Sequence, residues 1–114
     1  MNKNSINQMN ESEIIMEECN TLEQVRQHID RIDKNIVPLL VERNHYVMQA
    51  AKLKGDVNAA RVPKRIEEVV NKVRLVAESR NSNPEIVESI YRAMIEINIE
   101  LESKTIKERY QKNK

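Results

Sequence analysis

The stretch LEQVRQHIDRIDKNIVPLLVERNHYVMQAAKLK, residues 22–54, decides the fold. Leu22, Val25, Ile29, Ile32, Ile36, Leu39, Leu40, Val47, Ala50 and Ala51 recur in it at threes and fours, the spacing of one helical face, and the strict alternation a strand needs is missing. At a rise of about 1.5 Å per residue such a helix reaches roughly 50 Å, more than the ~30 Å across a small domain. One chain cannot cover it, so the periodicity predicts a partner chain. Pro38 removes a backbone hydrogen bond and clashes with the preceding turn, which predicts a kink over residues 35–38. The apolar phase holds across the proline, as one kinked helix requires and two separate helices do not.

Rotation along this helix arranges its cations. Arg43 and Lys54 lie eleven residues apart, about three full turns, and so share a face, whereas Arg26 is offset from Arg43 by roughly 100°. Two cations then look toward one pocket and the third looks elsewhere, as it does if it reaches into the pocket of a dimer mate. Three solvated surface charges have the same spacing, so the helix alone leaves both readings open.

Outward from the long helix, start and stop signals are plain. Thr21 with Gln24 forms a capping-box pattern at its start, and Gly55-Asp56 reads as its stop, glycine tolerating the left-handed conformation past a helix end. After a loop to about Val62, Pro63 suits the first position of a second helix, whose buried stripe is Ile66, Val69, Val70, Val73 and Val76 and which ends near residues 79–82. Asn83-Pro84-Glu85 combines a cap, a first-turn proline and an acid at the positive end of a third helix. That helix carries Val87, Ile90, Tyr91, Met94, Ile95, Ile99 and Leu101, and Asn98 and Glu102 continue its apolar face. Two polar groups there either find buried partners or mark where the helix leaves the core. The sequence thus predicts an all-α, three-helix chain: a flexible N-terminal tail over 1–20, with a short helical turn around residues 13–18, a helical domain over 21–105, and a charged C-terminal tail over 106–114, with fraying from Ser103 onward.

Composition fits this class and excludes others. One glycine and three aromatic residues in 114 leave few tight turns and no aromatic-laced basic patch, and a net charge of +1 from 19 basic and 18 acidic residues gives no electrostatic footprint for nucleic acid. Cys19 is the only cysteine, so neither an internal disulfide nor a cysteine zinc site is expected, and a reducing, cytoplasmic setting is the default. His28 and His45 have no ligand-spaced partner and read as surface or boundary side chains. No apolar run has the length of a signal peptide or a membrane span.

Taken together, LEQVRQHIDRID (residues 22–33), Arg43, Lys54, Pro63-Lys-Arg65 and the helix from Tyr91 to Glu102 resemble the all-helical, type II class of chorismate mutases and their relatives, the isochorismate-pyruvate lyases. The resemblance spans about residues 21–105. It implies an intertwined homodimer of three-helix chains whose long first helices cross, acting in chorismate metabolism, the shikimate route to aromatic amino acids. It further implies that Arg26 enters the partner's pocket, that Arg43 and Arg65 hold the substrate's carboxylates with it, and that Lys54 reaches the enol-ether oxygen and a carboxylate. Glu102 takes the position that faces the same oxygen, where it has to be protonated to donate a hydrogen bond, and Asn98 lines the pocket. No metal or cofactor is implied.

A pericyclic rearrangement accounts for a cationic site without a dedicated nucleophile. Two carboxylates must be held in a folded conformer, and negative charge grows on the ether oxygen as its C–O bond breaks. Arginine forks suit the carboxylates and a lysine point charge suits the oxygen. Two positions depart from the mutase pattern: Ile66 and Val62 stand where many mutases have a Glu that binds the ring hydroxyl and an Asp three residues before the arginine. The lyases carry apolar residues there. The expected function is therefore conversion of chorismate to prephenate, with isochorismate-pyruvate lysis or rearrangement of an aminated chorismate as alternatives, and a non-catalytic helical dimer as the reading from another class.

Overall fold

A computed structural model describes residues 16–112. Three helices follow one another: α1 (Leu22–Leu53), a 3-10 turn (Val57–Ala60), α2 (Pro63–Ser79) and α3 (Pro84–Lys112). The helical turn expected around residues 13–18 lies partly outside the described residues, and residues 16–18 carry no helix. No described helix is long and apolar enough to cross a membrane.

Each helix begins and ends for a local reason. Thr21 Oγ1 accepts from the Gln24 amide at 3.1 Å, half of the capping box. The other half is displaced by one residue, since Gln24 Oε1 accepts from the amide of Asn20 at 2.9 Å. Asp56 caps the 3-10 turn by accepting from the Asn58 amide. Asn83 Oδ1 caps α3 through the Glu85 amide at 3.0 Å, with Pro84 in the first turn. The end of α2 is a Schellman motif: the amides of Asn81 and Ser82 return to the carbonyls of Glu78 and Ala77, and Asn81 holds the left-handed conformation at φ 57°.

Contacts divide the chain at Val37/Pro38. Before the division, the α1 residues Leu22, Val25, Ile29, Ile32 and Ile36 are exposed, as are Leu39 and Leu40 just after it. From Pro38 onward a small core forms around Ala51, Val70, Ala77, Ile95 and Ile106. Arg74 of α2 pairs with Glu88 of α3 at 2.5 Å, and Arg92 of α3 binds both Glu88 and, with its fork, Glu67 of α2. These guanidiniums hold the carboxyls of Glu67 and Glu88 below the usual range. Val76, expected on the buried stripe of α2, is exposed, as are Ile90 and Leu101 of α3.

Two expectations are corrected at the C-terminal ends. The helix does not fray after Ser103: α3 runs through Lys112, so residues 106–112 are helix and not a tail, and Ile106 is fully buried. Gly55 does follow α1, but it has no positive φ. The last carbonyls of α1 are capped instead from α3, where the Arg109 guanidinium donates to the carbonyls of Ala51, Lys52 and Lys54 and the Tyr110 hydroxyl to that of Gly55.

Candidate active site

The cleft is built from the C-terminal half of α1, the first turns of α2 and the middle of α3, all after Pro38. Its volume is about 520 Å³, within the usual range for small-molecule sites. From α1 come Arg43, Tyr46, Val47, Ala50 and Lys54; from the start of α2 come Val62, Arg65, Ile66 and Val69; from α3 come Ile95, Asn98, Ile99 and Glu102. The periodicity explains the convergence: Arg43, Val47, Ala50 and Lys54 are spaced by fours and threes, as are Ile95, Asn98 and Glu102. Pro63 starts α2 beside the cleft, so the positive end of that helix dipole belongs to the same wall.

The polar groups are organised in two pairs. Lys54 Nζ donates to Glu102 Oε1 at 2.8 Å, the Glu102 side chain being 7% exposed and that of Lys54 26%. An ammonium has three donors, so two remain for a ligand. Arg43 Nη1 donates to Asn98 Oδ1 at 2.6 Å, and its guanidinium lies over the Tyr91 ring, 5.6 Å from the centroid. Asn98 in turn donates to Asn44 Oδ1 at 3.4 Å. Asn98 is buried, so the polar interruption of α3's apolar face is satisfied by partners and does not mark an exit from the core. Arg65 is different: its side chain is 61% exposed and only 3.7 Å from Glu68, a weak tether at the rim.

A profile of the chorismate mutase type II family matches residues 25–103. The chain belongs to the type II chorismate mutase family. It is 29% identical to the chorismate mutase of Methanocaldococcus jannaschii over 94 residues, 82% of this chain and 95% of that protein. It is 32% identical to the isochorismate pyruvate lyase of Pseudomonas aeruginosa over 79 residues, 69% of this chain and 78% of that one.

Six of the seven residues singled out in this family member from its sequence, Arg43, Lys54, Arg65, Ile66, Asn98 and Glu102, line one cleft. Arg26 is exposed and is not among the lining residues. Sequence reasoning missed Asn44, which completes the Asn98 network, and Tyr46, which lines the cleft beside Arg43. It also missed Arg61, whose fork binds both oxygens of Glu96 at 2.8 and 2.6 Å and ties the chain before α2 to α3. Two of these carried a signal, since Asn44 and Tyr46 flank Arg43 within four residues on α1. Arg61 carried none, because a long-range pair across a loop has no periodicity.

Proposed function

We propose that the protein rearranges chorismate to prephenate. What carries this reading is one cleft lined by Arg43, Lys54 and Arg65, with Lys54 paired to the buried carboxyl of Glu102, while no Ser, Cys or His is among the described residues lining it. Three cations against one carboxylate suit a dianion. The reaction needs no proton, oxidant or cofactor: the ring C–O bond of the enol ether breaks as a C–C bond forms within the same molecule. Arg43, fixed by Asn98 and Tyr91, and Arg65 at the rim hold the two carboxylates and so the folded conformer. Lys54 stabilises the charge that grows on the ether oxygen, and Glu102 holds the Lys54 ammonium in the cleft.

The proposal includes a homodimer whose long helices cross, with Arg26 of each chain completing the partner's site. The exposed row of Leu22, Val25, Ile29, Ile32 and Ile36 supports it, because an apolar stripe of this length on one helix is a surface that association removes from water.

Val62 and Ile66 in the cleft wall favour a second reading, elimination of pyruvate from isochorismate, because neither offers an acceptor for a ring hydroxyl at the position where mutases bind one. Incubating the protein separately with chorismate and isochorismate and identifying products decides between them. Prephenate from chorismate supports the first reading, salicylate and pyruvate from isochorismate the second, and no turnover of either overturns both. On the first reading Ile66→Glu raises chorismate turnover by restoring a hydroxyl acceptor, and an unchanged rate places substrate choice elsewhere.

A further inference from the structure

Arg109 follows Glu102 by seven residues on α3, about two turns, and so shares its face. A helix ending at Leu53 leaves the carbonyls of residues 51–54 without intrahelical partners. Arg109 takes three of these four: Nη1 donates to Lys52 O at 2.8 Å and Ala51 O at 3.3 Å, and Nη2 to Lys54 O at 2.5 Å. The Tyr110 hydroxyl donates to Gly55 O at 2.5 Å. A guanidinium at this end also opposes the negative pole of the α1 dipole. The backbone held in this way is that of Lys54, whose ammonium is 2.8 Å from Glu102. One stripe of α3 therefore grips Lys54 twice, its side chain through Glu102 and its main chain through Arg109.

We propose that Arg109 is a positioning residue for Lys54, fixing through the main chain where the ammonium meets the reacting oxygen. Its kinetic part rests on the function proposed above. Arg109 does not line the cleft, and it lies beyond residue 103, where the family match ends. Lysine reaches its target over four methylenes, so a shift of its Cα is passed on to Nζ. Displacement of a catalytic group by about 1 Å costs on the order of 10²-fold in rate. Without Arg109 the carbonyls of residues 51, 52 and 54 turn to water, and Lys54 moves with the loop that follows it.

The test compares the native protein with Arg109→Ala, Arg109→Lys and, as an exposed control two residues away, Lys107→Ala. Steady-state kinetics is paired with hydrogen exchange of the amides over residues 54–58, at a temperature where circular dichroism shows every variant folded. Arg109→Ala should lower kcat by about 10- to 100-fold with KM within about threefold, because the lost interaction belongs to the transition state. Amides over 54–58 should exchange at least about tenfold faster while those of α2 keep their protection. Arg109→Lys should recover part of kcat, its ammonium serving fewer carbonyls, and it stands in if the alanine variant does not fold. Lys107→Ala should match the native protein. A kcat equal to native in folded Arg109→Ala, or unchanged exchange over 54–58, overturns the proposal. If the native protein turns over neither chorismate nor isochorismate, the functional reading falls, and the exchange data still decide whether Arg109 holds the Lys54 main chain.

Discussion

Removing the Lys54 ammonium should destabilise the protein more than removing it together with the charge it faces. In Lys54→Ala the Glu102 carboxyl, 7% exposed, loses its only hydrogen-bond partner among the described residues. Breaking one side of a fully buried ion pair costs about 3–5 kcal/mol, and an exposed pair contributes about 0–1 kcal/mol. Glu102 sits near the buried limit, but Lys54 is 26% exposed and opens onto the cleft, so water reaches the vacated space. The expected loss is about 2 kcal/mol, between those limits. For a domain of this size that is a drop of roughly 8–15 °C in Tm. Lys54→Ala/Glu102→Gln replaces the unpaired carboxyl with a neutral amide and should recover about 1 kcal/mol of the loss. The assay is thermal and urea unfolding at pH 7, at one fixed protein concentration because association shifts Tm. A double variant no more stable than Lys54→Ala refutes the reasoning, since Glu102 would then not be a charge that Lys54 keeps buried.

If Arg26 completes the partner's site as proposed, mixing Arg26→Ala with Lys54→Ala chains should restore activity, because a heterodimer regenerates one intact site; no recovery after proven chain exchange argues against sharing. Stability should fall in acid through Glu67, Glu88 and Glu96, whose carboxyls are held below the ordinary value of 4.5 chiefly by hydrogen bonds from Arg92, from Arg92 with Arg74, and from Arg61. A lowered carboxyl contributes fully above the unfolded value and loses its contribution as pH falls through the folded one. The stability difference between native protein and Arg92→Ala should therefore be largest near neutral pH and shrink below about pH 4.5; a difference that grows in acid contradicts this.

The helices were legible because their signals are local. Fours and threes from Leu22 to Ala51, Pro63 at the start of α2, and Asn83-Pro84-Glu85 each act within one or two turns, and the structure begins its helices within a residue of them. Gly55 shows the limit of such signals. Glycine permits a left-handed stop and does not compel it, and the carbonyls it would have helped to satisfy are taken by a guanidinium from 55 residues further along. The run from Ser103 was misread for a related reason: Lys, Glu and Arg dominate it, but Ile106 and Arg109 continue the stripe of Asn98 and Glu102, and spacing outweighs composition there. Asn98 could not be assigned from sequence either, because whether a polar residue on an apolar face is satisfied depends on Arg43 and Asn44 opposite it. Arg26 stays outside the set of lining residues, and no periodicity within one chain can say what a second chain supplies.

The order of synthesis gives the cap on α1 a further meaning. The bonds that organise the cleft join residues far apart in the chain: Lys54 to Glu102 across 48 positions, Arg43 to Asn98 and Arg109 to Lys54 across 55 each. Closing loops of that length follows local helix formation in time. On a ribosome adding about 5–20 residues per second, α1 emerges several seconds before the side chains that fix its catalytic end. Until residue 109 clears the exit tunnel the helix carrying Lys54 is complete but uncapped, and its exposed apolar row is free to meet another chain first. On the proposed dimer, assembly of nascent chains would thus run ahead of the pairing of Lys54, since Glu102 and Arg109 follow it by 48 and 55 positions.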